Sequence, residues 1–164
     1  MARTGLIDDP FSRIAWGNLA KTAEVEARLR REMEINLRGG RGTEDLIDRI
    51  QRVTGFARNR ASRIAITERT ATVNGSRLEA IEEENRNRKP GEKATKKMWV
   101  HSHYPKQPRH HHVAASGQVR YAHHYFVMGN GARLMYPGDP RAPSSERINC
   151  RCYIRRVIER MRAA

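Results

Sequence analysis

The two cysteines of this chain, Cys150 and Cys152, are separated by a single residue. Alternate side chains of an extended segment point to the same side, so we expect the two thiols to face the same way. Three arrangements suit such a pair: half of a soft-metal site, a strained disulfide, or two small apolar side chains in a core. Because a disulfide between them would close a very small loop, the spacing favours a reducing compartment.

The sequence lacks the short motifs that mark common catalytic centres. It contains no nucleophile elbow, no phosphate-binding loop and no metalloprotease helix motif. The glycine-rich residues 39–42 are not followed by the Lys-Ser or Lys-Thr of a phosphate-binding loop. We therefore predict that the chain is not an enzyme.

The charge of the chain indicates a polyanionic partner. Lysine and arginine number 32 against 18 acidic residues, which gives a formal net charge of +14. Such a charge favours sequence-independent contact with the backbone of double-stranded DNA, and with only 6% aromatic residues we expect little base stacking. The alternative partner is an acidic face of a neighbouring subunit. The arginines predicted to contact DNA are Arg141, Arg147, Arg155, Arg156, Arg160 and Arg162.

Helical periodicity dominates the first half of the chain, and short strands dominate the second. Apolar residues recur at helical spacing over three stretches, which are residues 11–37, 43–53 and 57–86. Met98–Val100 indicates a buried strand, Gly129–Gly131 a hairpin turn, and residues 150–158 a last strand. This order predicts an α+β fold, with N-terminal helices packed on a small, mostly antiparallel sheet.

The predicted elements divide the chain into three parts. Residues 1–42 form an N-terminal helical extension, residues 43–158 an α+β domain, and residues 159–164 a basic tail. Residues 1–10 contain no apolar segment of a secretory signal, and no stretch approaches the ~20 apolar residues of a membrane span. We therefore expect no contact with a membrane.

Four pieces of the sequence, in order, resemble one protein family. Residues 63–77 look like an IA-x-TE … A-x-N … R helix, and residues 97–100 form a strand around a tryptophan. Residues 109–112 are an Arg-x-x-His with a glycine five residues on, and residues 149–152 give Asn-Cys-Arg-Cys after a proline-glycine-rich loop. Together, over roughly residues 43–154, these pieces resemble the phage Mu protein F-like minor head proteins.

The resemblance implies a minor head protein of a tailed phage or prophage, acting in head morphogenesis and in DNA packaging or delivery. It implies portal or capsid proteins as partners and no small-molecule substrate. The implied location is the virion, in the head interior or near the portal, after assembly in the host cytoplasm. The alternative function is a metal-dependent nuclease or another phage-encoded enzyme or toxin domain.

A metal site also follows from the resemblance. Some relatives carry Cys-x-x-Cys where this chain has residues 109–112, so His112 is the matching ligand. Zinc favours mixed sulfur and nitrogen ligands in a tetrahedral set. We therefore predict a zinc site of His112, Cys150 and Cys152, with a fourth ligand from His101, His103 or Asp139. The alternative is two buried thiols beside a hydrogen-bonded His112.

Four further residues are predicted to hold the domain together: Glu68, Trp99, Arg109 and Asn149. Glu68 interrupts the apolar stripe of the third helix. A carboxylate on a buried face needs a partner to remain ionised, and an arginine is the expected one. The alternative is that Glu68 lies at the edge of the stripe and reaches water.

Overall fold

A computed structural model describes residues 23–102 and 108–158 of the chain. Helices come first: α1 (Ala23–Arg38), α2 (Thr43–Thr54) and α3 (Arg58–Arg86). The later elements are β1 (Lys96–Val100), α4 (His110–Ala114), β2 (Val119–Tyr121), β3 (Phe126–Val127), β4 (Arg133–Leu134), α5 (Ser144–Arg147) and β5 (Tyr153–Val157). The α+β prediction is confirmed, although the part of the first predicted helix before residue 23 lies outside the described residues.

The chain divides into two compact units, residues 1–69 and residues 70–164, so the division falls within α3. In the first unit, α1, α2 and the start of α3 surround one cluster of buried apolar side chains, which are Leu29, Met33, Leu46, Ile47, Ile50, Ala61 and Ala65. Gly55 ends α2 with a φ of 69°, a left-handed conformation that glycine adopts without steric cost.

A small antiparallel sheet organises the second unit. Its strand order is β2-β1-β5, and Trp99 of β1 lies opposite Ile154 of β5. A separate hairpin pairs β3 with β4 through the predicted turn, in which Gly131 has a φ of 84°. Among the strands that the structure describes, β5 has a neighbour on one side only, so its other edge faces away from the sheet.

The second unit has its own apolar core, which collects side chains from α3, the sheet and the hairpin: Leu78, Ile81, Trp99, Ala115, Ala122, Phe126, Met128, Leu134, Ala142, Cys150, Cys152 and Ile154. The loop after β4 passes close to α3 at Gly138, whose φ is 84°. A Cβ at this position would lie 2.9 Å from the backbone nitrogen of Ala71. Only glycine fits this approach without displacing backbone.

Candidate metal centre

Helix α3 fixes the backbone of both cysteines. Thr70 Oγ1 donates a hydrogen bond to the Cys150 carbonyl at 2.7 Å, and Asn74 Nδ2 donates to the Cys152 carbonyl at 3.1 Å. Residues four apart share one face of a helix, so a single stripe of α3 holds both peptide groups. Asn149, with a φ of 57°, turns the chain into this segment after α5.

Helix α4 carries His112 into the core of the second unit. The His112 side chain is 2% exposed, and its ring meets Trp99 edge to face with centroids 5.2 Å apart. Arg109 precedes α4 and donates from Nη2 to the Ile148 carbonyl at 2.7 Å. Arg109 therefore ties the start of α4 to the segment that leads into the cysteines.

The predicted metal ligands converge on one point. Nδ1 of His112 lies 3.6 Å from Sγ of Cys150 and 3.8 Å from Sγ of Cys152. The three ligand atoms all lie within 4.8 Å of one another, and all three side chains are buried. The two cysteines are free thiols, so the disulfide alternative is wrong.

Glu146 fixes the orientation of the His112 ring from the opposite side. Its Oε2 lies 2.9 Å from His112 Nε2 and 2.8 Å from His111 Nε2, while Asn130 donates to Oε1 at 3.0 Å. A carboxylate only accepts hydrogen bonds, so Nε2 of His112 carries the hydrogen and Nδ1 presents its lone pair to the sulfurs. Burial raises the pKa of Glu146, but hydrogen bonds from His112, Asn130 and His111 outweigh it and leave that pKa below its usual value.

His111, His112 and Glu146 form a second group of close potential ligands. In this group, however, both histidine nitrogens already make hydrogen bonds to the same carboxylate oxygen. The arrangement is that of a carboxylate supporting a ligand histidine, which is the usual outer shell of a zinc site.

The two thiols are coupled through a hydrogen bond. The hydrogen bond from the Cys150 thiol lowers the pKa of Cys152, while burial acts in the opposite direction. The pKa of Cys150 is raised by its hydrogen bond to Cys152 and by burial. A soft metal ion would bind both sulfurs as thiolates and displace the thiol protons.

A cavity of about 210 Å³ opens onto the three ligands, and its lining includes His101, Arg109 and Arg151. His101 is thus the fourth-ligand candidate that lies beside the site, whereas His103 lies outside the described residues. The prediction of Asp139 as a ligand is wrong. Its carboxylate instead accepts hydrogen bonds from the backbone N–H of Met135 and from Arg141.

A known protein family matches most of the chain. The family model described as phage Mu protein F like protein matches residues 27–155. The chain belongs to the phage Mu protein F-like family. A relative from Bacillus subtilis (strain 168), the uncharacterized protein YqbB, is 30% identical over 125 residues, which are 75% of this chain and 39% of YqbB. The chain thus spans well under half the length of that relative, and no solved structure matches it.

Membership of the phage Mu protein F-like family links the chain to phage head morphogenesis. The family is one of phage structural and morphogenesis proteins. That the chain is not an enzyme stays a prediction. None of the helices within residues 23–102 and 108–158 is long and apolar enough to cross a membrane.

The arginines predicted to contact DNA differ in their surroundings. Arg147 is 7% exposed, so it cannot present its guanidinium to a phosphate and its assignment is wrong. Arg141 is held by both carboxylate oxygens of Asp139, although its side chain remains 54% exposed. Arg155 and Arg156 are exposed on β5, and the remaining two, Arg160 and Arg162, lie outside the described residues.

Two functional residues of this family member were missed by the sequence predictions. Glu146 is the only acid between Asp139 and Cys150, which is a weak signal in an arginine-rich segment. Asn74 donates to two carbonyls beside the site and accepts from the N–H of Ile154. Its signal in the sequence is the asparagine of the family-like segment 63–77, to which no role was assigned. Neither residue belongs to a periodic pattern, so periodicity cannot reveal either one.

Glu68 is 3% exposed on α3, in the first unit. The alternative in which this carboxylate reaches water is therefore wrong. A buried carboxylate is stable as an ion only when it is paired or hydrogen-bonded, which is the structural role predicted for Glu68.

Proposed function

We propose that the chain acts as a minor head protein of a tailed phage or prophage, in head morphogenesis and in DNA packaging or delivery. The match of residues 27–155 to the phage Mu protein F-like family carries this proposal. The corresponding location is the virion, in the head interior or near the portal, and the corresponding partners are portal or capsid proteins.

Deletion of the gene from its phage or prophage tests this function. We expect particles without the protein to contain fewer filled heads, and purified wild-type virions to contain it in constant proportion to the portal. Normal yields of DNA-filled, infectious heads after deletion would contradict the proposal.

We further propose that the second unit binds one zinc ion through His112, Cys150 and Cys152. Three observations support zinc: the sulfur and nitrogen donor set, the burial of all three side chains, and the carboxylate that orients the imidazole. Zinc would join α4 to the segment before β5, across 38 residues of chain. In a unit with a small core, such a link contributes directly to folding free energy.

Elemental analysis of the purified chain tests the zinc proposal. We expect about one zinc per chain in the wild-type protein and in His110→Gln, whose side chain is exposed. We expect loss of zinc in His112→Gln and in Cys152→Ser. The zinc proposal would be contradicted if the wild-type chain is fully folded by circular dichroism but contains no stoichiometric metal.

Sequence-independent contact with double-stranded DNA is the third part of the proposal. Its support is the net charge of +14 and the exposed Arg155 of the last strand. With about four phosphate contacts, affinity would fall about 100-fold between 50 and 200 mM salt. Backbone contacts carry no sequence information, so unrelated duplexes should bind equally well.

Fluorescence anisotropy with two unrelated duplexes, over a series of salt concentrations, measures this contact. Equal affinities with a steep salt dependence would support it, and the absence of binding at low salt would contradict it. Metal-dependent cleavage of either duplex would instead favour the nuclease alternative.

A further inference from the structure

A groove in the second unit runs between α3 and the outer edge of β5. It encloses about 440 Å³ and is lined by Arg77, Ala80, Ile81 and Glu84 of α3 and by Tyr153–Arg156 of β5. The helix residues are spaced by three or four, so they form one stripe. A second cavity of about 380 Å³ shares Glu84 with the groove and extends it to Ile158.

The backbone of β5 offers unused hydrogen-bonding groups to this groove. Antiparallel strands direct the peptide groups of alternate residues to opposite edges. The N–H of Ile154 bonds to Asn74 Oδ1 at 3.0 Å and not to β1, so the peptide groups of Ile154 and Arg156 face the outer edge. Within the described part of the chain, no hydrogen bond is made by the Arg156 N–H or by the Ile154 and Arg156 carbonyls.

Asn74 occupies the hydrogen-bonding groups at the start of the outer edge of β5. Its side chain accepts from the Ile154 N–H and donates to the Cys152 carbonyl, which are the two bonds a neighbouring strand would make at these positions. Beyond Ile154 no side chain of α3 continues this pairing. Ile154 itself is buried, so the accessible edge runs from Arg156 towards the C-terminal end of β5. An exposed edge of this kind is a template for another strand.

The groove combines an apolar base with a positive rim. Ala80, Ile81 and Ile154 provide the apolar surface, while three arginines and one glutamate provide the charges. The Arg156–Glu84 ion pair, at 3.1 Å, joins side chains that are 59% and 39% exposed. An exposed pair of this kind contributes little to stability, so a ligand carboxylate can replace Glu84 as the partner of Arg156.

We propose that this groove binds an extended, acidic segment of a partner protein, which adds a strand to the outer edge of β5. Main-chain hydrogen bonds to the N–H and the carbonyl of Arg156 would supply affinity, and acidic side chains at alternate positions would meet the arginine rim. A DNA backbone has no N–H and C=O groups in alternation, so the strand edge selects a peptide over a duplex.

The probe is a blocked octapeptide of alternating threonine and glutamate, with a threonine-lysine octapeptide as its control. Amide hydrogen exchange of the full chain is followed by NMR at Arg156, with and without each peptide. We expect the acidic peptide to slow exchange of the Arg156 amide at least tenfold, because a new hydrogen bond covers this N–H, and the basic peptide to leave it unchanged.

Two variants separate the backbone contribution from the charge. Arg156→Thr removes the guanidinium and keeps the N–H, whereas Arg156→Pro removes both. Proline is compatible with an edge strand when its missing N–H faces outward. We expect Arg156→Pro to bind the acidic peptide at least tenfold more weakly than Arg156→Thr does, with both variants folded by circular dichroism.

Several results would overturn the proposal. These are no binding of the acidic peptide, binding without protection of the Arg156 amide, and equal binding by the two variants. Protection that grows with protein concentration in the absence of peptide would assign the edge to a second copy of the chain. Protection by a 20-base-pair duplex as strong as that by the peptide would assign the groove to DNA.

Discussion

Replacement of Glu146 by glutamine tests how the imidazole of the metal centre is oriented. The carboxylate accepts from His111 and His112 on Oε2 and from Asn130 on Oε1, at 2.8, 2.9 and 3.0 Å. Glutamine has the same shape but only one acceptor oxygen. Its amino group must therefore face either the two histidines or the Asn130 amide, and each orientation sets donor against donor.

The structure predicts weaker zinc binding in Glu146→Gln. Loss of an outer carboxylate that orients a ligand histidine lowers metal affinity about 10–100-fold, or about 1.4–2.8 kcal/mol. Competition with a chromophoric chelator at fixed pH measures this change. Glu84→Gln is the matched control, because Glu84 is 39% exposed and far in sequence from the ligands, and it should leave zinc affinity unchanged.

One result would refute this reasoning about Glu146. If Glu146→Gln binds zinc within twofold of the wild-type affinity, the carboxylate does not set the direction of His112 Nδ1. Urea denaturation of the zinc-free variant, run in parallel, distinguishes lost orientation from a unit that no longer folds.

Three further predictions concern stability, each measured by urea denaturation. Burial lowers the pKa of Lys97 to about 8, so above pH 8 the unfolded chain binds more protons than the folded chain does. The free energy of unfolding should therefore rise by about 2 kcal/mol from pH 8 to 10. Lys97→Met should abolish this rise. Asn74→Ala removes the hydrogen-bond partner of the Pro137 carbonyl, the Cys152 carbonyl and the Ile154 N–H. The free energy of unfolding should fall by about 2–4 kcal/mol. Gly138→Ala should cost about 1–3 kcal/mol more than Gly131→Ala, because both glycines have a φ of 84° but only the former would contact backbone. The first estimate would be contradicted by a stability that does not change from pH 8 to 10, and the second by a loss of less than about 1 kcal/mol in Asn74→Ala. Equal losses of stability in Gly138→Ala and Gly131→Ala would contradict the third.

Much of the fold could be predicted because it follows from regular patterns. Apolar periodicity located α2 and α3 closely, and Gly129–Gly131 marked the hairpin between β3 and β4. The order of elements then gave the α+β class. These features depend on local sequence, which is where side-chain spacing and turn chemistry act.

The centre itself was only partly predictable. His112 and Cys150 are separated by 38 residues of chain, so spacing alone could not predict that they meet. That prediction came from the family resemblance. Glu146 was overlooked, and Arg147 was assigned to DNA although it is buried. Burial of a charged residue in a short helix leaves no periodic signal in the sequence. Asp139 carries a carboxylate, which can bind zinc. In the structure this carboxylate instead accepts hydrogen bonds from Arg141 and from the Met135 N–H.

The central claim is that His112, Cys150 and Cys152 hold one zinc ion. X-ray absorption at the zinc edge of the purified chain tests it most directly. The structure predicts two sulfur atoms at about 2.3 Å and at least one nitrogen at about 2.0–2.1 Å from the metal. A coordination shell of oxygen and nitrogen alone, or a folded protein with no zinc to measure, would contradict the claim.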